Sequence, residues 1–308
     1  MEILVVANYN RGCFSPFVEE QIESLRQAGC EVDSYGIVGK GISGYLSNLP
    51  ALRKKIKAYQ PDLIHAHYGL SGLLANLQRK VPVVTTYHGS DIHSLGLNLK
   101  LSRLCMRLSA FNLFVSQALY KTSRYQGRHY AVIPCGVDTD LFVTPDCRDK
   151  YQNASCHAGY EVLFAGAFDN EVKYPTLARE AVALVGNATI HELKGYSRSA
   201  VVQKLQQADV LLMTSKREGS PQVIKEALAC GCPIVSVDVG DVKSLIQGVE
   251  GCYIAAATPT DIASKLELAL RFAQRTAGRE VIFRQGLSLH QVAQRLITLY
   301  QMVPHEKK

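Results

Sequence analysis

Arg217-Glu218-Gly219-Ser220-Pro221-Gln222-Val223-Ile224-Lys225-Glu226-Ala227-Leu228-Ala229-Cys230-Gly231-Cys232-Pro233 is the stretch that decides the fold. An apolar run at 209–215 precedes it and another at 233–237 follows, and both read as buried strands. Between them the pattern predicts a helix over 221–230, with Ser220 as N-cap and Pro221 at the first helical position. Glu218 then lies on the loop before the helix, and Glu226 sits about two turns inside it. A helix start offers backbone N–H groups to anionic or oxygen-rich ligands. A carboxylate deeper in the same helix accepts hydrogen bonds from ligand hydroxyls. A ligand with phosphates at one place and sugar hydroxyls at another, such as a nucleotide sugar, suits that arrangement.

The same strand–helix–strand pattern runs through the chain and argues α/β with parallel sheets. In the first half, strand candidates are 2–8, 31–37, 62–67, 82–87, 111–116 and 130–134, with helical patterns at 16–28, 46–59 and 117–125. A second series has strands near 161–166, 188–193, 209–214, 233–238 and 252–255, separated by helices near 174–186, 198–207, 221–230 and 259–273. The polar, aperiodic segment 138–158 reads as a linker, placing the domains at 1–155 and 156–288. A final amphipathic helix at 289–302 has Val292, Leu296, Leu299 and Tyr300 on one side. Ligands of doubly wound folds bind outside the carboxyl ends of the strands, so an interdomain cleft is the expected site.

The 308 residues are 47% hydrophobic and 20% charged, a globular composition with room for two cores. The start reads as a strand rather than a signal peptide, and no apolar run approaches a membrane span. Nine cysteines form no CxxC pair, which with the missing export signal suggests a reducing cytoplasm. Of the net charge of +7, residues 1–155 carry +5, from 17 Lys/Arg against 12 Asp/Glu. Arg53, Lys54, Lys55, Lys57, Lys100, Arg103 and Arg107 concentrate it. They read as solvated helix faces or, more sharply, as a patch for peripheral contact with an anionic membrane at its inner face. No recognition module accompanies the charge, so nucleic acid is not expected.

Four motifs occur in order, each at a loop after a strand: Asp62-Leu-Ile-His-Ala-His67, Pro82-Val-Val-Thr-Thr-Tyr-His88-Gly-Ser-Asp91, Val132-Ile-Pro-Cys-Gly-Val-Asp138, and Glu218-x7-Glu226. Together they resemble the retaining glycosyltransferases of family four. That resemblance implies the GT-B fold: two Rossmann-like, doubly wound domains facing across a cleft, an acceptor-binding first and a nucleotide-sugar-binding second. It also implies a last helix, 289–303, crossing back onto the first domain. The implied activity is transfer of a sugar from a UDP- or GDP-sugar to a hydroxyl of a glycan or lipid-linked acceptor, in cell-surface or exopolysaccharide synthesis. No metal or other cofactor is implied.

Position by position, Glu226 matches the glutamate that binds the ribose, and Glu218 the one against the transferred sugar. Gly219, Ser220, Pro221, Gln222 and Val223 would hold donor hydroxyls and diphosphate oxygens with their backbone. Lys173 matches the lysine that neutralises the departing diphosphate, and Gly12 would let the backbone approach it. His88 and Asp91 match contacts to the transferred sugar and acceptor, with Arg11 on the neighbouring loop. Two departures stand out. Ala167 replaces an arginine that often pairs the diphosphate, leaving Arg11, Lys216, Arg217 or Arg198 as substitutes, and Val239-Gly240-Asp241 stands where relatives often have Gly-Gly.

His65 and His67 share one strand face, but without a third ligand they read as structural or cleft-lining rather than metal-binding. Cys230 and Cys232 read as packing residues. Two other functions fit the same fold: a sugar-nucleotide epimerase, and a catalytically weak transferase-like scaffold subunit, which Ala167 favours.

Overall fold

The computed structural model describes residues 1–94, 96–145 and 159–303. Contacts divide the chain into two compact units: Met1–Gly136 together with the segment from Leu289, and Val137–Ser288.

Unit 1 contains β1 (Glu2–Asn8), α1 (Pro16–Gln27), β2 (Glu31–Ile37), α2 (Gly41–Leu46), α3 (Leu49–Tyr59), β3 (Leu63–His67), α4 (Gly69–Asn76), β4 (Val83–Tyr87), α5 (Leu97–Leu108), β5 (Phe111–Phe114), α6 (Gln117–Ser123) and β6 (Tyr130–Val132). Unit 2 contains β7 (Tyr160–Phe164), α7 (Pro175–Leu184), β8 (Ala188–Glu192), α8 (Arg198–Gln207), β9 (Val210–Met213), α9 (Gln222–Ala229), β10 (Ile234–Val237), α10 (Val242–Ile246), β11 (Cys252–Ala255), α11 (Pro259–Phe272) and α12 (Gly278–Arg284). The last helix, α13 (Leu289–Met302), returns to unit 1.

Both sheets are parallel throughout, in the orders β2-β1-β3-β4-β5-β6 and β11-β10-β9-β7-β8. In each unit the first strand pairs with the second on one side and the third on the other. The doubly wound order 2-1-3-4-5 has its topological switch point between the first and third strands, where such sheets bind ligands. β3, β4, β9 and β10 are buried at every residue, as strands covered on both faces must be.

Local sequence explains the helix that closes unit 1. Pro16 occupies the first turn of α1, Glu19 complements its N-terminal dipole and Arg26 its C-terminal one. Val18, Ile22 and Leu25 fall on one face and are buried. α13 packs on α1, and Val292, Ala293, Leu296, Leu299 and Tyr300 join those residues in one core.

The boundary between units falls earlier than the sequence reading at 155/156. Val137 and Phe142 are fully buried in the core of unit 2. Val137 N donates to Leu287 O at 2.9 Å. The Arg279 guanidinium donates to the carbonyls of Phe142 and Thr139, both at 2.7 Å. Apolar burial and these bonds draw 137–145 into the second unit; the rest of the expected linker, 146–158, lies outside the described residues. Among the described residues, no helix is long and apolar enough to cross a membrane.

Candidate active site

In unit 2 the switch point lies between β7 and β9, and the loops leaving those strands carry Lys173 and Glu218. Lys173 ends a 3₁₀ turn, Glu171–Lys173, capped by the Asn170 side chain. Its carbonyl and that of Tyr174 accept from Thr214 Oγ1, each at 2.9 Å. A Cβ on Gly166 would lie 2.6 Å from Lys173 Cγ, so only glycine lets the lysine lie across the strand end. Lys173 Nζ reaches Glu218 Oε1 at 2.6 Å, with both side chains still partly open to solvent.

The helix after Glu218 starts one residue later than the sequence suggests. α9 begins at Gln222 with Pro221, not Ser220, as its N-cap, and no side-chain cap is made. Proline's fixed φ suits the extended cap, and Ser220 is occupied elsewhere, accepting from Lys225 Nζ at 3.3 Å. Lys225 is fully buried inside α9, and its charge favours the ionised form of the neighbouring Asp241, although burial wins and raises the Asp241 pKa. Gly240 has φ +61°, and a Cβ there would meet Gly219 O at 2.9 Å and Glu218 Cβ at 3.3 Å. The Val239-Gly240-Asp241 departure therefore backs the glutamate loop directly. Gln222 and Val223, both half-buried, form the first turn of α9, close in sequence to Ser220 and Glu218.

Glu226 lies in the middle of α9, only 4% exposed, and Arg198 Nη1 at the start of α8 donates to its Oε1 at 2.7 Å. Burial pushes the Glu226 carboxyl up, and the guanidinium opposes that rise. The Arg198 head group also stacks over Phe142, 4.7 Å from the ring centre. Among the substitutes for the arginine missing at Ala167, Arg198 is thus held on the second glutamate, and Lys216 rests over the Tyr174 ring at 4.4 Å.

In unit 1 the corresponding switch point lies between β1 and β3. Gly12 turns the loop after β1 with φ +74°, its N–H bonded to Tyr9 O at 3.0 Å, and Arg11 is exposed on that turn. Tyr68, just after β3, has φ 72° and ψ 149°, a region nearly reserved for glycine. Its ring and Phe17 pack on His88, with centroids 4.6 and 4.7 Å away. Asp91 spends its oxygens on backbone: Oδ1 accepts from His88 N at 3.2 Å and Gly89 N at 2.9 Å, and Oδ2 accepts from Gly69 N at 3.2 Å. Burial lifts its pKa to about 6 against the pull of those amides. Asp91 therefore fixes the His88 loop to the start of α4. His65 and His67 stack with centroids 4.6 Å apart, and no group of three metal-ligating side chains occurs among the described residues.

Two sequence profiles match this chain in succession: Glycosyltransferase Family 4 over residues 14–141, and Glycosyl transferases group 1 over residues 147–271. The chain belongs to glycosyltransferase family 4. TuaC of Bacillus subtilis, a glycosyltransferase assigned to teichuronic acid biosynthesis, is 26% identical over 60% of this chain and 55% of that protein. The amylovoran biosynthesis glycosyltransferase AmsK of Erwinia amylovora is 24% identical over 62% of this chain and 56% of its own. This family 4 chain thus spans little more than half the length of these two relatives. HepE of Anabaena, solved in complex with UDP-glucose, superposes with a TM-score of 0.78 at 15% identity, covering 98% of this chain and 100% of HepE. The fold is GT-B.

Tyr68, Lys225 and the Arg198–Glu226 pairing carry no local signal in the sequence of this family 4 member. A tyrosine at positive φ, or a lysine buried within a helix, becomes visible only once the neighbouring strands are placed.

Proposed function

We propose that this protein is a retaining glycosyltransferase that moves a sugar from a nucleotide-sugar donor to a hydroxyl of a glycan or lipid-linked acceptor in cell-surface polysaccharide synthesis. The observation that carries this reading is the arrangement in unit 2. Glu218 and Glu226 flank the first turn of α9, and each is approached by its own cation, Lys173 and Arg198.

Transfer leaves negative charge on the departing diphosphate and positive charge at the sugar ring. The Lys173 ammonium has three hydrogens and one is used on Glu218, so others can meet phosphate oxygens. The amides at the start of α9 add to that field without reorganising. Glu218, on the same loop, faces the sugar, and Glu226 accepts from the ribose hydroxyls once Arg198 shares it. The leaving phosphate itself helps take the acceptor proton, so no side chain is needed as general base. No metal is required in this scheme, since side-chain cations and helix amides supply the positive charge.

The UDP and UDP-glucose complexes of HepE support a uridine donor over a guanosine one. Exposed Leu97, Leu104 and Leu108 beside Lys100, Arg103 and Arg107 on α5 support peripheral contact with an anionic membrane. A thermal-shift screen against UDP, GDP and their sugars tests the donor, followed by turnover assays on the wild type and Glu226→Ala. Specific binding and turnover, both lost in Glu226→Ala, are expected. Binding without turnover on a broad acceptor panel assigns a scaffold subunit instead.

A further inference from the structure

A file of hydrogen-bonded side chains crosses unit 1 from the last helix to His88. Tyr300 of α13 places its hydroxyl 2.5 Å from His65 Nδ1, and His65 Nε2 lies 2.7 Å from Thr86 Oγ1. Gln21, buried on α1, sets its Nε2 3.1 Å from His65 Nδ1 and 3.5 Å from His67 Nε2. His67 Nδ1 is 3.0 Å from His88 Nε2, and His88 Nδ1 is 3.8 Å from Cys135 Sγ. The three imidazoles stack in sequence, with centroid separations of 4.6 and 5.2 Å.

Each contact removes one freedom from the next. An amide nitrogen carries two hydrogens and accepts none, so Gln21 Nε2 donates to both imidazoles. His67 Nε2 is then the bare nitrogen. Burial holds the His67 pKa down at about 3, so the ring is neutral near pH 7 and has a single N–H. That hydrogen sits on Nδ1 and is donated to His88 Nε2. His88 Nε2 accepts, and the hydrogen of a neutral His88 ring lies on Nδ1. It points toward the Cys135 sulphur, a weak acceptor that a hydroxyl oxygen outcompetes.

We propose that Gln21 and His67 are positioning residues that set the tautomer of His88, holding its Nδ1–H as a hydrogen-bond donor to an oxygen of the sugar substrate. This rests on the reading of His88 as a substrate contact and adds which nitrogen serves and what fixes it. It makes His88 a donor rather than a base, in keeping with a proton that leaves through the phosphate. Turning the Gln21 amide over would reverse every hydrogen from Gln21 to His88 and leave Nδ1 bare.

The test is nitrogen NMR of the full chain labelled on its histidine rings, with His67→Asn and His88→Gln spectra used for assignment. Near pH 7 the wild type should show a bare Nε2 and a protonated Nδ1 on both His67 and His88. Gln21→Glu, close in shape but acceptor-only when ionised, should reverse both rings and lower kcat roughly 10²-fold with the donor KM little changed. A bare Nδ1 on wild-type His88 overturns the proposal, and so does a reversed tautomer in Gln21→Glu with kcat intact. If that variant does not fold, the wild-type spectrum decides alone. The spectrum needs no substrate, so a protein with the expected tautomer but no turnover contradicts the transferase reading and leaves this one standing.

Discussion

Lys173 and Glu218, 45 residues apart in sequence, meet at 2.6 Å where the loops of β7 and β9 leave the sheet. The lysine that would face the leaving group and the glutamate that would face the sugar are thus paired with each other. On the proposed reading, a donor would enter a site whose charges are already oriented, and would share the ammonium rather than capture it.

Lys173→Ala should lower turnover by roughly 10²- to 10³-fold, the cost of removing one electrostatic donor at a developing charge. Its melting temperature should move little, because partly exposed ion pairs contribute about 1 kcal/mol or less. Parallel rate and melting measurements check this; an unchanged rate would remove Lys173 from the site.

Arg198→Ala should behave in the opposite way. It leaves Glu226, 4% exposed, without its cation, and breaking such a pair costs about 3 kcal/mol or more. Arg198→Lys should recover only part of this, since an ammonium cannot reproduce the guanidinium's stacking over Phe142. Urea denaturation of the three proteins provides the measurement, and equal midpoints for Arg198→Ala and wild type would refute the account.

Gly240→Ala should weaken nucleotide binding although Gly240 carries no side chain to lose. Its left-handed φ of +61° costs an L-residue about 1–2 kcal/mol, and the added methyl would press on Gly219 O at 2.9 Å. The displaced loop carries Glu218, so calorimetry with a nucleoside diphosphate sugar should show a loss of affinity.

Acid should destabilise unit 1 through its histidines. Burial holds His67 at about 3 and His65 well below its usual value, whereas both take protons near about 6.5 when unfolded. Their contribution is complete above about pH 6.5 and is lost as pH falls toward 3. Asp91 runs against them: its carboxyl, raised to about 6, favours the folded state as it protonates from pH 6 downward. Within unit 1 two histidines outweigh one carboxyl, so the urea midpoint of that unit, followed through its histidine ring signals, should fall between about pH 7 and pH 4. In Asp91→Asn that fall should steepen, because the opposing protonation is gone; a shallower fall would contradict the assignment.

What could be read in the sequence was what is local to one loop or helix. Glu218 and Glu226 announced themselves by spacing, and His88 by its place at a strand end. The Arg198–Glu226 and Tyr300–His65 contacts join residues 28 and 235 positions apart, and nothing in either neighbourhood encodes the other. They depend on strand order and on side-chain rotamers. The solvated face of α5 is legible from Lys100, Arg103 and Arg107, but its start is not: Leu97, Leu99 and Leu101 alternate like a strand, and Gly96 caps the helix without a side-chain bond. α4 was missed because Gly69 and Gly72 lower helix propensity, yet a Cβ at either would strike Ser102 or Thr85. Close packing selected those glycines.

Helix α13 has a consequence for synthesis. Unit 1 is interrupted in the chain by the whole of residues 137–288. On the ribosome, β1 to β6 emerge first yet lack Val292, Leu296 and Tyr300, which complete their core. Unit 2, made later, has all its residues before unit 1 does. The second-made half can therefore be the first to finish folding, and the part of the α1 apolar face that α13 covers stays exposed until the last helix is translated.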